Sequence, residues 1–314
     1  MKAWLFTAPH EPLQLIERET PRPGPGEVIL ELRATGLCHS DVGCIDGTIT
    51  AMMAKQPPII LGHEMAGVIA EVGPGVTDYQ VGDRVVASAS PDYCPGWGVD
   101  GGYATHCLLR EQILIPLPSE VSFVQGAAAT DAGQTSYGAL MGTGELRAGQ
   151  RVGIIGLGGL GMTGARIAVL NGAEVYAAEP RREAWAMAKE QGVREVVADV
   201  LDLAQYNLDL IVDFAGFGTT TAGAINVVRP GGIVVLVGLG VTEATISTGA
   251  LIGRSVSLRG NNGGRPGDTA AVLGHMKAGE LEIKASVIPF EEIPQGLERL
   301  EARKVVGRLV AEVN

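Results

Sequence analysis

Apolar positions in the first 130 residues come in short alternating runs broken by Gly and Pro, as in Val28-Ile29-Leu30-Glu31-Leu32 and Val68-Ile69-Ala70-Glu71-Val72. A period of two over four to eight residues marks strands with one buried face, so this stretch reads as mostly β. From Gly133 the pattern changes: compact apolar runs at 151–155, 174–178, 210–214, 233–237 and 255–258 predict strands, and they alternate with helical periodicity at 160–170, 182–190 and 220–228. Strands separated by helices build a parallel sheet covered on both faces. The last fifty residues predict helices around 270–277 and 294–302 and a terminal strand at 308–313. The fold class is therefore α/β, with a doubly wound domain following a β-rich one.

Composition narrows the classes of function. A chain of 314 residues exceeds what one core usually supports, consistent with two domains. A formal charge of -11 argues against nucleic acid, whose phosphates demand Lys and Arg, and against an anionic membrane surface. No apolar run reaches the 18 residues a membrane span needs, and Met1-Lys2-Ala3-Trp4-Leu5-Phe6 lacks a signal-peptide core. Cys38, Cys44, Cys94 and Cys107 are too few and too irregularly spaced for a disulfide scaffold. The expected location is the cytoplasm.

Two motifs carry chemistry. Gly156-Leu157-Gly158-Gly159-Leu160-Gly161 follows an apolar strand and opens a helix, the setting in which glycines allow a tight turn, close approach to a pyrophosphate and close helix-to-strand packing. Glu179 ends the next predicted strand, where a carboxylate receives a ribose 2′-hydroxyl and repels a 2′-phosphate. Arg181 and Arg182 pull toward a phosphate; the balance favours NAD over NADP. Upstream, Cys38-His39-Ser40-Asp41 and Gly62-His63-Glu64 place a thiol and an imidazole in two polar clusters, which points to a mononuclear zinc site with one open position.

Taken in order, Cys38-His39-Ser40-Asp41, Gly62-His63-Glu64 with Gly67, Gly73 and Val76, Val81-Gly82-Asp83-Arg84-Val85, Gly101-Gly102-Tyr103-Ala104, the Gly156 loop and Gly307-Arg308 resemble the zinc-containing alcohol dehydrogenases of the medium-chain dehydrogenase/reductase superfamily. The resemblance spans the whole chain. It implies a GroES-like catalytic domain at 1–131, a Rossmann domain at 132–261 and a segment at 262–314 returning to the catalytic domain.

The resemblance also implies roles. Cys38 and His63 are expected as ligands of a catalytic zinc. The third ligand is usually a cysteine, but the matching run is Ala129-Thr130-Asp131-Ala132-Gly133, so Asp131 stands in its place. An aspartate keeps the ligand charge of a thiolate; the other readings are metal loss or a helix N-cap. Asp41 is expected to hold the non-ligating nitrogen of His63, Glu64 to lie behind the metal and ligate transiently, and Ser40 to receive the proton of the substrate oxygen. His39 and Arg308 are expected on the cofactor pyrophosphate beside Gly156, Gly158, Gly159, Leu160 and Gly161. Residues 87–100 hold only Cys94, so one catalytic zinc and no structural zinc is expected. Gly43 stands where relatives with a long proton relay carry a histidine.

The expected reaction is zinc-assisted hydride transfer between NAD and an apolar alcohol, ketone or aldehyde, with residues 44–55, including Ile49, Met52 and Met53, forming one wall of the pocket. Two alternatives are a zinc-free reductase of activated double bonds or quinones, and a nucleotide-binding protein without turnover. No nucleic acid or membrane partner is expected, and the predicted outer strand near 255–258 suggests a homodimer or homotetramer.

Overall fold

The computed structural model describes residues 1–90 and 92–314. The chain opens with β1 (Lys2–Phe6), β2 (Gln14–Glu17) and the long β3 (Glu27–Leu37), then helix α1 (His39–Ile45). Strands β4 (Ile59–Ile60), β5 (Met65–Val72), β6 (Arg84–Ala87), β7 (His106–Arg110) and β8 (Leu114–Pro116) follow. Helix α2 (Phe123–Ala128) leads into a π turn (Ala129–Gly133) and then α3 (Gln134–Tyr137). The next elements are β9 (Arg151–Ile155), α4 (Gly159–Leu170), β10 (Glu174–Ala178), α5 (Trp185–Glu190), β11 (Glu195–Val197), β12 (Leu210–Asp213), α6 (Thr219–Val227), β13 (Ile233–Leu236), α7 (Thr248–Gly253) and β14 (Ser257–Gly260). The chain ends with α8 (Pro266–Lys277), β15 (Ala285–Pro289), α9 (Ile293–Glu301) and β16 (Arg308–Glu312).

Two compact units result. The first comprises Met1–Asp131 and Arg265–Asn314. Its larger sheet runs β15-β16-β3-β5-β6-β8, with β7 also on β3, and β2-β1-β4 forms a smaller antiparallel sheet. Strand β3 is the spine: its first half pairs with β7, its second half with β16, and β5 runs along it with register shifts after Ile29 and Leu32. Val28, Leu30, Leu32 and Leu37 of this strand enter one core with Ile69, Leu109, Leu297 and Leu309. The registers matter for chemistry. Leu37 pairs with Leu309 and Thr35 with Met65, so Cys38, Arg308 and Glu64, each one step further along its chain segment, lie together at that end of the sheet, Arg308 still paired with Ala285 of β15.

The second unit, Ala132–Gly264, holds a six-stranded parallel sheet in the order β11-β10-β9-β12-β13-β14. Numbered within the unit, that order is 3-2-1-4-5-6, the doubly wound arrangement in which ligands bind outside the carboxyl ends of the strands. The near-continuous apolar strands suit a sheet buried on both faces: all four residues of β12 are buried, and so are four of the five in β9.

Some elements differ from the pattern-based expectation. The predicted strand at 255–258 lies two residues later, because Ser255 takes a left-handed conformation at φ 53° and the strand starts only after it. The helical stretch at 182–190 begins as a 3-10 turn (Arg182–Ala184) before α5. Strands β11 and β15 and helix α7 carry no periodic signal: β11 has three residues, and no residue of α7 is buried.

Candidate active site

Four potential ligands converge in the first unit. Cys38, at the N-cap of α1, His63 and Glu64, just before β5, and Asp131, in the π turn, offer ligand atoms all within 4.8 Å of one another. The Cys38 thiol donates to Asp131 Oδ2 at 3.4 Å, and His63 Nε2 stands 3.9 Å from the same oxygen. A tetrahedral zinc with bonds of 2.0–2.3 Å would separate its ligands by about 3.3–3.8 Å; the sulfur distance falls inside that range and the nitrogen distance just beyond it. The donor set of sulfur, nitrogen and carboxylate oxygen also suits zinc.

Asp131 is not a helix N-cap. It lies inside a helical run, in a π turn between α2 and α3, the kind of local widening that recurs at functional sites.

The second ring of contacts is built around Asp41. Its Oδ2 accepts the Cys38 N–H at 3.0 Å and the Tyr103 hydroxyl at 2.7 Å, while its Oδ1 lies 3.5 Å from His63 Nδ1. Thus Nδ1 faces Asp41 and Nε2 faces the ligand cluster. Burial lowers the proton affinity of the His63 imidazole, but Asp41, Asp131 and Cys38 more than compensate and raise it well above the ordinary value. Protons therefore compete with a metal for this ring as pH falls.

Arg308 reaches this cluster from the start of β16. Its guanidinium is 4% exposed, grips Glu64 with both Nε, at 3.0 Å, and a terminal nitrogen, and also reaches Asp131. The pairing has a physical reason in charge: the buried Glu64 carboxylate and the partly buried Asp131 converge there and are stabilised by a cation against both. Burial pushes the Glu64 carboxyl up to about 7 even with that guanidinium against it, and Asp131 adds to the rise.

Ser40 sits half-buried in the first turn of α1, two residues beyond Cys38. His39 is exposed, with Nε2 3.1 Å from the carbonyl of Leu300. At Gly43 a Cβ would lie 3.0 Å from Ile49 Cγ1, so a larger residue there would need Ile49 to shift. Of the residues expected to line the pocket, Ile49 and Met53 are buried in one cluster with Cys44, and Met52 is exposed.

In the second unit the glycine loop turns from β9 into α4. Gly161 is obligatory, since a Cβ would stand 1.8 Å from the Gly156 carbonyl oxygen. The buried Glu179 carboxylate accepts the Leu157 N–H at 2.7 Å and the Arg181 backbone and Nε at 3.0 Å each. Burial raises this carboxyl, yet the Arg181 and Leu157 hydrogen bonds outweigh it and hold it below its usual range. Arg181 is thereby engaged by Glu179, and Arg182 stacks over the Trp185 ring at 5.0 Å.

Two functional groups have no counterpart in the sequence reading. Tyr103 was visible only as part of a glycine-rich block. Asp213, at the end of the apolar run of β12, is fully buried and accepts from Ala215 N, Gly216 N, Thr220 Oγ1 and Thr221 Oγ1 at 2.8–3.0 Å. It pins the loop at the carboxyl end of its strand.

Comparison with known proteins agrees with this architecture. Residues 24–119 match the alcohol dehydrogenase GroES-like domain and residues 159–278 the zinc-binding dehydrogenase domain. An alcohol dehydrogenase of Geobacillus stearothermophilus is 33% identical over 340 aligned positions covering all of both chains, and one from a Moraxella species is 29% identical over 99% of each. Among solved structures, acetophenone reductase from Geotrichum candidum in complex with NAD superimposes with a TM-score of 0.92 at 29% identity, covering 99% of this chain and 97% of that one. The alcohol dehydrogenase of Aeropyrum pernix gives 0.92 at 27% identity over the full length of both. Full-length identity to a known dehydrogenase, together with both domain matches, makes this chain a member of the zinc-type alcohol dehydrogenases in the medium-chain dehydrogenase/reductase superfamily.

Proposed function

We propose that this chain transfers hydride between NAD and an apolar alcohol, or the corresponding ketone or aldehyde, at a single zinc ion held by Cys38, His63 and Asp131. The observation that carries the reading is the spacing of those three ligand atoms around Asp131 Oδ2, 3.4 Å to sulfur and 3.9 Å to nitrogen. It favours a metal-binding site over a metal-free reductase, which would have no use for a thiol and an imidazole aimed at one carboxylate.

When bound, zinc supplies Lewis-acid polarisation of a substrate oxygen and the nicotinamide supplies the hydride acceptor or donor. The chain's own residues do the rest. Asp41 fixes the His63 ring through Nδ1, so that Nε2 is presented in one orientation. Ser40 Oγ would receive the proton of the alcohol, and Gly43 supplies no side chain to carry it further. Arg308 balances Glu64 and Asp131. The backbone of Gly156, Gly158, Gly159, Leu160 and Gly161 holds the pyrophosphate at the start of α4, with His39 as a further contact. Glu179 receives the ribose hydroxyls. Its pairing with Arg181 supports NAD over NADP, because that guanidinium is already engaged.

Metal analysis of protein purified without chelator tests the reading: one zinc per chain is expected in the wild type, together with alcohol-dependent reduction of NAD. Asp131→Ala should lose both the zinc and about 10³-fold or more of the activity. Full zinc content in that variant would remove Asp131 from the ligand set.

A further inference from the structure

The Gly101-Gly102-Tyr103-Ala104 block binds neither metal nor cofactor in the scheme above, yet it is laced to the segment that carries His63. Gly101 N donates to Ile60 O at 2.8 Å, Gly102 N to Gly62 O at 2.7 Å and Tyr103 N to Leu61 O at 2.9 Å. Trp4 N in turn donates to Tyr103 O at 2.8 Å, so the Tyr103 backbone is held from two sides. Gly62 adopts φ +91°, and a Cβ on it would fall 2.5 Å from Tyr103 Cδ1. The aromatic ring therefore lies directly on the residue preceding His63, and it is fully buried.

The direction of the hydroxyl gives this packing a chemical meaning. A buried tyrosine needs an acceptor, and a backbone carbonyl would serve. Here the acceptor is Asp41 Oδ2 at 2.7 Å, an oxygen that also accepts Cys38 N at 3.0 Å. Two donors on Oδ2 fix the plane of the carboxylate and leave Oδ1 directed at His63 Nδ1, 3.5 Å away. That nitrogen is buried and has no closer hydrogen-bond partner among the described residues. Burial and the Asp41 charge push the Tyr103 phenol well above its ordinary value, so the hydroxyl remains a donor.

We propose that Tyr103 is a positioning residue of the metal centre, which acts through Asp41 to hold His63 in the tautomer and orientation that presents Nε2 to zinc. The inference rests on the ligand set proposed above. It adds a residue outside the proposed ligand set, joined to Asp41 by its hydroxyl.

The test compares wild type, Tyr103→Phe, Asp41→Asn and the double variant, each as apoprotein titrated with zinc against a chromophoric chelator, and each unfolded thermally with and without zinc. Tyr103→Phe keeps the ring and removes only the hydroxyl. Its zinc affinity should fall roughly tenfold, as for other supporting contacts behind a metal ligand. Because Tyr103 acts through Asp41, the double variant should lose much less than the product of the two single losses. The drop in unfolding temperature should be larger with zinc than without, and the visible bands of the cobalt-loaded variant should shift.

Three results would overturn the inference: zinc affinity equal to wild type, equal losses of stability with and without zinc, or independent effects of the two substitutions. A Tyr103→Phe apoprotein that does not fold would also count against it, since the hydroxyl would then be structural. A wild-type chain that takes up no zinc overturns the ligand set itself; normal wild-type uptake with an indifferent Tyr103→Phe overturns the Tyr103 role alone.

Discussion

The Glu179 carboxylate is shared among three donors, the Leu157 N–H, the Arg181 N–H and the Arg181 guanidinium. Its charge therefore both shapes the glycine loop and neutralises the arginine that would otherwise welcome a phosphate. Glu179→Gln keeps the size of the side chain but frees Arg181. The KM for NAD should rise roughly tenfold, as expected for loss of a charge-assisted hydrogen bond, while that for NADP falls and kcat changes little. Steady-state kinetics with both cofactors checks this, and an unchanged NAD-to-NADP ratio would exclude Glu179 as the discriminating group. At this scale, residues within one turn or loop were readable directly from the chain, as with the Gly156 loop and its glutamate. The Tyr103–Asp41 and Arg308–Glu64 contacts were not, because 62 and 244 residues separate the partners and no local pattern records which of them will meet.

Elements with a strong period were legible almost to the residue. The apolar runs at 151–155 and 174–178 are β9 and β10 as found, and the helix expected at 160–170 begins one residue earlier. Short elements without their own signal depend on the sheet they join: β15 exists because β16 offers it a parallel edge. The turn after β12 depends on one side chain in the same way. Asp213 satisfies two backbone N–H groups and two threonine hydroxyls in a site with no water access. Asp213→Ala leaves all four donors without that acceptor and should cost about 3 kcal/mol, in the range for breaking a buried charged network. The fall in urea midpoint measures it, and a shift of less than a third of that would show the loop to be held by other means.

On the scale of the whole molecule, the parallel sheet of the second unit ends at β14, which pairs only with β13 among the described residues. Ser257 N and Asn261 N donate toward β13, so the alternating N–H groups of Leu258 and Gly260 face away from it. An unpaired outer edge tends to be covered, and pairing with the same edge of a second copy across a two-fold axis is one way to cover it. The wild type is expected to scatter light as a dimer or tetramer at micromolar concentration. Leu258→Pro removes an outward N–H without touching the β13 ladder, and should shift the population toward monomer. A monomeric wild type would rule the edge out.

The amino-acid sequence by itself determined the α/β class, the alternation of strand and helix after residue 133, the dinucleotide loop and the candidacy of Cys38 and His63, because each is written within a few neighbouring positions. Tertiary structure alone decided which charges share the pocket. The registers of β3 with β5 and β16 bring Glu64 and Arg308 to the end of the sheet beside Cys38, and a π turn from elsewhere in the chain adds Asp131. Where a buried carboxylate meets a second one, electrostatics favours an arginine against both. No run of residues could announce that, since the energy belongs to the contact and not to either segment.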